Sequence, residues 1–573
     1  MKISWKKEIG INEKPEARKI VNMILENRHV KDLKEFLFPA SPFEISLAAF
    51  GFKKELDKTL SLLETIKKRG EMIVVYTDYD ADGITGGTIL WETFHLLGFK
   101  VMPYVPHRRH EGYGFSEKGI NRVKKEFNPA LIISVDHGIS GKKEIAYAAA
   151  LGIKIIVTDH HLAPNELPDR AECVFHIPAL SGSGVAYFVA KEIYEHFFQS
   201  PITNSQYQIT NIQKLKSYFQ SDYLALASVG TIADLVPLVG PSRSVVSHGL
   251  RAFKETKRKG IKYIIREAGI TDKDITPYEV GFIIAPRINA VGRLEHALDA
   301  LRLLCTHNDK QAEEIASKMG ETNRERQDLV ASAVKQAKGM IEELIEKEGK
   351  PPLIISLLSN DWNEGIIGLI ASKISETYSR PTIVMTKSDG FWKGSARSVN
   401  DFHMTNFLRS LIQYLISVGG HKGASGFTIL DEKKETFLKK VQMTAKKIAV
   451  EKDFEKKIEV DLKIPLAFVD IDLAHELERL APYGIGNPNP LFISEVTVLE
   501  KKLFGKKREH VKLFVKDANT GSFPMEFISF FKSDEYREIR KDQTVSLIYN
   551  LDINTWNGRE SLRGRINYLL NKI

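Results

Sequence analysis

Acidic side chains and histidines follow each of three apolar, β-branched runs in the first third of the sequence. The runs cover residues 73–76, 132–135 and 155–157, and the polar side chains after them are Asp78, Asp80, Asp82, Asp136, Asp159, His160 and His161. Such runs, separated by helical stretches, predict parallel strands of an α/β sheet. Ligands of these sheets bind beyond the carboxyl ends of the strands, so we expect the polar groups to share one crevice. Because crowded carboxylates repel one another unless cations hold them, the pattern predicts a metal-dependent enzyme.

The segment from Asp78 to Asp82 carries the densest group of acids, with Asp80 between them. Alternate residues of an extended chain share a face, so these three carboxylates can converge. The segment alone also fits an acidic loop, and a single aspartate after a strand often caps a helix. The adjacent histidines after Asp159 are harder to explain as packing, which favours a functional site.

A further aspartate, Asp234, lies within the otherwise apolar segment 230–238. A buried carboxylate without a partner is costly, so this side chain needs one. Two interpretations stay open at this point: Asp234 caps a helix, or it is the last ligand of the metal site.

Composition limits the class of protein and the choice of metal. The chain has 573 residues, which is too long for one core, and 43% of them are hydrophobic, as in soluble proteins. Its two cysteines exclude a disulfide framework and a cysteine-based zinc site. Oxygen and nitrogen ligands remain, and they favour Mn²⁺ or Mg²⁺.

The net charge and the apolar stretches of the chain indicate its class of partner and its location. Lysine and arginine exceed aspartate and glutamate by 82 − 73 = 9, which suits a polyanionic partner. No apolar stretch is long enough to span a bilayer, and no apolar signal segment follows the basic N-terminus. We therefore expect a cytoplasmic protein without a membrane partner.

The order of sequence patterns predicts an α/β protein with several domains. Helical and strand-like stretches alternate, then a long charged helix leads to a second alternating stretch and to short β runs typical of a small barrel. The predicted segments are an N-terminal helical extension (1–70), an α/β catalytic domain (71–310), a connecting helix (311–349), a smaller α/β domain (350–452) and a nucleic-acid-binding barrel (453–573).

Nine segments together resemble a known family. Four of them, residues 78–83, 135–138, 158–161 and 230–234, resemble the motifs of the DHH phosphoesterases. The others resemble the RecJ-like exonucleases within that family: residues 111–114, 286–293, 393–398, 419–426 and 482–488. The resemblance runs from about residue 36 to the end. It implies a parallel-sheet DHH domain, a connecting helix, a DHHA1 domain and a C-terminal OB-fold.

The resemblance also implies roles for the acidic cluster. It assigns a two-metal centre, with Mn²⁺ preferred or Mg²⁺, to Asp80, Asp82, Asp136, His160 and Asp234. It places His161 toward the scissile phosphate, with Asp159 as its catalytic partner, and makes Asp78 an orienting group outside the metal ligands.

A second set of residues is assigned to the substrate. The resemblance implies that phosphate and DNA are bound by Arg109, Tyr113, Arg287, Asn289, Arg293, Ser395, Arg397, Gly420 and His421. Arginine suits this task because its planar guanidinium group binds phosphate through two hydrogen bonds.

The function implied by the resemblance is 5′→3′ exonuclease activity on single-stranded DNA. Such an enzyme releases nucleoside 5′-monophosphates and acts in DNA repair and recombination. Its expected partners are single-stranded DNA, a single-strand-binding protein and a helicase, and we expect a monomer. Two alternatives stay open: a DHH phosphodiesterase for short oligonucleotides or cyclic dinucleotides, and a non-catalytic DNA-binding replication scaffold.

Overall fold

The strands of the protein form three sheets, of seven, five and five strands. The computed structural model describes residues 2–12, 14–108, 110–199, 206–388, 390–448, 450, 454–520, 522–556 and 558–571. None of the helices in these ranges combines the length and apolar character needed to cross a bilayer.

The N-terminal region differs from the predicted helical extension. It contains strand β1 (Lys2–Glu8) and helices α1 (Ala17–Asn27), α2 (Leu33–Leu37) and α3 (Lys53–Arg69). Strand β1 pairs in parallel with residues 457–463 near the other end of the chain. Ile3 and Trp5 pack there against an apolar cluster that includes Ile458. The segment is helical over α1 to α3, and the strand at its start was not predicted, because it depends on a partner distant in sequence.

The first α/β body is a parallel sheet whose strand order is β3-β2-β4-β5-β6. Its strands are β2 (Met72–Thr77), β3 (Lys100–Tyr104), β4 (Leu131–Val135), β5 (Lys154–Asp159) and β6 (Cys173–His176). Val74 and Ile132 pack into the core on one face, while Val75 and Ile133 pack into the core on the other. Burial on both faces explains why these strands are rich in β-branched residues. The order places the carboxyl ends of β2, β4 and β5 side by side.

Helices cover both faces of this sheet and extend the body. They are α4 (Ala81–Leu96), α5 (Glu117–Phe127), α6 (Lys142–Ala150), α7 (Gly182–Gln199), α8 (Gln206–Gln220), α9 (Asp222–Ala233), α10 (Gly240–Ala252), α11 (Lys259–Glu267), α12 (Pro277–Glu279), α13 (Ala285–Leu294) and α14 (Leu298–Cys305). A π-helical turn, Val280–Ile284, joins α12 to α13.

The two α/β bodies are joined by helix α15 (Asp309–Glu348). Asn308 caps its start, because its side chain accepts a hydrogen bond from the backbone N–H of Gln311 at 3.1 Å. Gly349, with φ of 76°, ends it in the left-handed conformation that glycine tolerates. Met319 belongs to the core of the first body and Ile341 to a core of the second, so one helix braces both.

The second α/β body has the strand order β10-β11-β9-β8-β7. Its elements are β7 (Ile355–Leu358), α16 (Ile367–Tyr378), β8 (Thr382–Ser388), β9 (Phe391–Arg397), α17 (Met404–Arg409), β10 (Ser417–Gly420), β11 (Ala424–Leu430) and α18 (Lys434–Ile448). Only β7 and β8 run parallel among the paired strands of this sheet that the structure describes.

The third body is a barrel with two additional strands. Its elements are β12 (Lys457–Lys463), α19 (Ile471–Glu478), β13 (Phe492–Phe504), β14 (His510–Asp517), β15 (Met525–Ser529), β16 (Thr544–Trp556) and β17 (Arg559–Asn571). Strands β13 to β17 form the barrel, which closes where β13 pairs with β16. Strands β12 and β1 extend the sheet beyond it. The predicted α/β class with a C-terminal OB-like barrel is confirmed.

A buried arginine ties the barrel segment to the first body. Arg243 of α10 donates hydrogen bonds to the carbonyl oxygens of Leu480, Ala481 and Pro482, and also to that of Phe36. Its guanidinium group lies 3.9 Å from the centre of the Phe36 ring. The barrel is therefore anchored close to the helices that surround the acidic cluster.

Candidate metal centre

The loop after β2 presents the first group of acids. Asp80 caps α4, since its carboxylate accepts hydrogen bonds from the backbone N–H groups of Asp82 and Gly83 at 3.0 and 3.1 Å. A Cβ atom at Gly83 would lie 2.7 Å from the Cβ atom of Asp78, so the tight turn requires glycine. The Asp82 carboxylate is held by the backbone N–H groups of Gly182 and Ser183 at the start of α7.

The ends of β4 and β5 bring the next groups to the same place. Asp136 follows β4 with φ of 68°, and its side chain packs on Gly182, where a Cβ atom would lie 2.4 Å from the Asp136 Cβ atom. His160 follows β5 and points its Nε2 atom at three carboxylates. The distances are 3.2 Å to Asp136 Oδ1, 3.3 Å to Asp234 Oδ2 and 3.9 Å to Asp82 Oδ2. Four separate loops therefore converge on one point.

Three overlapping sets of side chains could each hold a cation, because one ligand atom from every member lies within 4.8 Å of the others. The sets are Asp82, His160 and Asp234; Asp136, His160 and His161; and Asp78, Asp80 and Asp136. Asp136 belongs to two sets, which is the position expected of a ligand shared between two ions.

The hydrogen bonding of these side chains fits bound cations. The Oδ1 atoms of Asp78 and Asp136 and the Nε2 atom of His160 are buried, and none has a hydrogen-bond partner within the described residues. Buried polar atoms without partners are costly, and a divalent cation would satisfy all three. The donors are oxygen and imidazole nitrogen, which suit Mn²⁺ and Mg²⁺.

The carboxylates retain protons when no cation is bound. Burial and the neighbouring charges of Asp82 and Asp80 raise the pKa of Asp136 well above its ordinary value. Burial and the charges of Asp82 and Asp80 also raise the pKa of Asp234, to about 8. A cation must therefore displace protons as it binds.

We expect Mn²⁺ to raise the melting temperature and to bind more tightly as the pH rises. Carboxyl groups with raised pKa values, such as that of Asp234, are protonated at lower pH, and each proton competes with the cation, so the apparent affinity should increase between about pH 6 and pH 8. Thermal melting with Mn²⁺ at each pH measures the effect. Asp234→Asn should weaken binding and Asp272→Asn, at an exposed site, should not. An affinity independent of pH would contradict the protonated cluster.

His161 is held by a different set of contacts. Its Nδ1 atom lies 2.8 Å from Asp159 Oδ1, and Asp159 also accepts hydrogen bonds from the backbone N–H groups of Ile139, His160 and His161. Burial disfavours the imidazolium form, but the hydrogen bond and charge of Asp159 outweigh it and raise the pKa of His161 to about 9. The Tyr113 hydroxyl group lies 3.2 Å from His161 Nε2. A protonated imidazole therefore stands beside the acidic cluster at neutral pH.

Two predicted DNA-binding side chains have structural partners. The Asn289 side-chain oxygen accepts a hydrogen bond from the backbone N–H of Ala81 at 2.7 Å, which fixes the start of α4. Arg287 forms a 2.7 Å ion pair with Glu267 and donates to the carbonyl oxygen of Ile283. Arg287 shares the half-buried Glu267 with Arg324, so one carboxylate faces two guanidinium groups, and the phosphate contact of Arg287 stays a prediction. The side-chain oxygen of Asn289 therefore holds the loop that carries Asp80 and Asp82.

Arginines that face one another lie between the two α/β bodies. Burial and the charges of Arg108, Arg326 and Arg397 lower the pKa of Arg293 to about 10. Burial and Arg108 likewise lower the pKa of Arg397. Within the described ranges, Arg108, Arg293 and Arg397 have no carboxylate at salt-bridge distance. Three uncompensated guanidinium groups make a site for an anion.

The second body shapes this anion site. Arg397 Nη1 lies 3.1 Å from Ser395 Oγ, and a Cβ atom at Gly368 in α16 would lie 3.0 Å from Arg397 Nη2. At Gly420 φ is 134°, and a Cβ atom there would meet the Ala424 carbonyl oxygen at 2.3 Å, so the next residue is placed by a glycine turn. That residue is His421.

His421 links the anion site to the acidic cluster. Burial lowers its pKa, and the charges of Arg397 and His161 lower it further. Among the predicted residues, Arg109 lies outside the described residues. The substrate groups predicted from the sequence did not include Arg326, which stands unmarked in a charged helix.

Each of the three bodies matches a known domain family. Residues 72–230 match the profile described as DHH family, N-terminal domain, residues 350–447 match the DHHA1 domain, and residues 460–568 match the RecJ OB domain. These ranges correspond to the parallel sheet, the second α/β body and the barrel.

Curated relatives share the full set of bodies. The single-stranded-DNA-specific exonuclease RecJ of Bacillus subtilis is 32% identical over 93% of this chain, and the chain spans 64% of the length of that relative. The protein with the same description from Haemophilus influenzae is 27% identical, and the match covers 99% of each chain.

Two solved structures are also similar. A RecJ from Thermus thermophilus in complex with Mn²⁺ aligns with a TM-score of 0.79 and 26% identity over 100% of this chain and 80% of its own. A structure described as exonuclease RecJ bound to manganese aligns with a TM-score of 0.56 and 31% identity, over 70% of this chain and 95% of its own.

Proposed function

Because this chain belongs to the RecJ family of DHH phosphoesterases, we propose that it is a metal-dependent exonuclease that digests single-stranded DNA from the 5′ end. One observation carries the proposal: the acidic loop after β2 packs against α13, where a Cβ atom at Gly292 would lie 2.4 Å from the Tyr79 carbonyl oxygen, and the next residue, Arg293, donates a hydrogen bond to Gly365 of the second body. A strand end can then have one phosphate at the cluster while another is held by arginines. The products are nucleoside 5′-monophosphates.

The residues of the cleft divide the chemistry between them. Bound cations supply a hydroxide nucleophile and neutralise charge on the phosphate that is cut. His161, protonated and oriented by Asp159, can donate a proton to the leaving oxygen from its Nε2 atom. Tyr113, whose hydroxyl group donates to the backbone carbonyl oxygen of Asp136 at 3.1 Å, borders the same space. The remaining site residues keep the roles assigned from the sequence as proposals, and Asn289 also holds the backbone at the start of α4.

The direction of digestion follows from the position of the anion site. Arg293 donates a hydrogen bond to the carbonyl oxygen of Gly365 at 3.1 Å, so the arginines are fixed where the two bodies meet. We expect an anion site beside the cluster to favour the phosphate at a strand end over the phosphates within a continuing chain. Selection of 5′ ends over internal sites is therefore expected from the geometry.

The barrel offers a surface for the rest of the strand. Phe530 and Phe531 are exposed beside His510, with ring centres 5.2 and 4.5 Å from it, and Arg565 lies 5.8 Å from the Phe530 ring. The loop 505–509 between the first two barrel strands carries Lys506, Lys507 and Arg508. Aromatic rings with adjacent cations bind single strands in OB-folds by base stacking and phosphate contacts.

Digestion of end-labelled strands tests the proposed function. With Mn²⁺, a 5′-labelled single strand should release labelled mononucleotide at once, whereas a 3′-labelled strand should shorten gradually. A duplex should resist, and samples without metal should be inactive. Faster hydrolysis of the dinucleotide pApA than of long strands would favour the phosphodiesterase alternative. Intact metal binding with no hydrolysis of any substrate would favour the scaffold alternative.

The family also supports proposals on cellular context. We propose a cytoplasmic monomer that acts in DNA repair and recombination, with a single-strand-binding protein and a helicase as partners. These proposals rest on the RecJ relatives and on the basic barrel surface.

A further inference from the structure

Helix α9 ends in a turn that places a leucine where glycine is usual. The N–H of Leu235 donates to the carbonyl oxygen of Ile232 at 3.2 Å, and the N–H of Val236 donates to that of Thr231 at 3.3 Å. This pair of bonds defines a Schellman ending, whose left-handed residue is most often glycine. Here Leu235 occupies that position with φ of 59°.

Burial does not explain the leucine. Val236 and Leu238, which follow it, are 6% and 2% exposed and pack into the fold, whereas the side chain of Leu235 is 66% exposed. A left-handed leucine is strained because its Cβ atom crowds the following carbonyl group. The strain at Leu235 is therefore not offset by packing within the protein, and such residues cluster at functional sites.

The position of Leu235 relates it to the acidic cluster. It directly follows Asp234, whose Oδ2 atom lies 3.3 Å from His160 Nε2. Leu162, which directly follows His161, is 81% exposed. Ile485 is 52% exposed, and its carbonyl oxygen accepts a hydrogen bond from the N–H of Leu238 at 2.7 Å. We call these three exposed aliphatic side chains, Leu162, Leu235 and Ile485, the apolar rim.

We propose that the apolar rim binds the base of the 5′-terminal nucleotide, which is joined through its 3′ oxygen to the phosphate at the acidic cluster. This inference rests on the proposed function and names a nucleobase subsite for it. The cluster and the arginines offer charged groups for phosphates, and they leave the apolar faces of the base without a partner. An aliphatic side chain next to Asp234 supplies one, since contact removes apolar surface of both groups from water.

The rim also contributes to selection of single strands. The 5′-terminal base of a duplex is held by its base pair and by stacking on the next pair, so it reaches Leu235 only after the pair is broken. An unpaired base at a strand end can leave the stack at small cost and lie against the rim. Leu235 is therefore a specificity-determining residue. Its left-handed backbone is strained, and its side chain gains a contact with the substrate.

Leu235→Gly separates the structural role from the binding role. Glycine relieves the left-handed strain, so the melting temperature should rise, while loss of the side chain should raise the KM for a single strand about tenfold. Leu235→Ala should raise KM similarly without the gain in melting temperature. Ser379→Gly is the matched control, because Ser379 ends α16 with φ of 50° away from the cluster and should change only stability.

A substrate with an abasic 5′ nucleotide identifies the contact. With this substrate the wild type and Leu235→Gly should have equal KM values, because the base that Leu235 contacts is missing. Unchanged KM for both Leu235 variants on normal strands would overturn the inference, as would an equal loss on the abasic strand. If the wild type fails to digest single strands with Mn²⁺, both the proposed function and the inference are wrong. If the wild type digests them and the Leu235 variants have the same KM as the wild type, only the inference is wrong.

Discussion

Asp136→Ala abolishes hydrolysis of single-stranded DNA and leaves binding of the strand largely intact. Asp136 belongs to two of the three cation sets, so its loss removes a shared ligand and lowers the rate by at least about three orders of magnitude. Strand binding survives because the anion site and the barrel do not involve this side chain. Hydrolysis of labelled strands and filter binding of the same strands measure the two effects.

The variant needs a control and a metal readout. Asp272→Ala replaces an exposed aspartate of the same body and should behave like the wild type. Thermal melting with Mn²⁺ should show a reduced shift for Asp136→Ala, since cation binding and folding are linked. Substantial Mn²⁺-dependent activity in Asp136→Ala would remove this residue from the metal centre.

His161→Ala should lower kcat by about two to four orders of magnitude while Mn²⁺ still stabilises the protein. The reason is that His161 supplies a proton from an imidazolium whose pKa, about 9, depends on Asp159. His196→Ala is a suitable control, because His196 lies in the same body and pairs with Glu64 at 2.7 Å, outside the acidic cluster. Loss of Mn²⁺ stabilisation in His161→Ala would make this residue a metal ligand instead.

The pH profile gives a second test of the same pair. Asp159 raises the pKa of His161 through a hydrogen bond and through its charge, which extends to higher pH the range in which His161 is protonated. Asp159→Asn removes that charge and lowers the pKa of His161, and the decline of kcat on the alkaline side should move to lower pH. A profile that stays in place would show that the proton comes from another group.

The sequence by itself determined the positions of the acidic cluster. Parallel strands are read from short β-branched runs, and groups directly after such strands meet at one edge of the sheet. This local rule alone predicts that Asp80, Asp136 and His160 lie together, and the fold brings them together with Asp234. The order of the two α/β bodies, the connecting helix and the barrel was also predicted from the sequence, because the spacing of apolar residues differs between helices and strands.

Only the tertiary structure decided which polar groups already have partners and which residues meet across the chain. Arg287 pairs with Glu267, and β1 joins a strand more than 450 residues away. Arg108 and Arg293 of the first body act on Arg397 or on each other through their charges, although they are distant in sequence. The left-handed backbone of Leu235 could not be predicted from the sequence either, because a leucine after a helix does not indicate a positive φ. The physical reason is that periodicity records which side of an element is buried, whereas hydrogen-bond partners and exposed surfaces depend on contacts between segments distant in sequence.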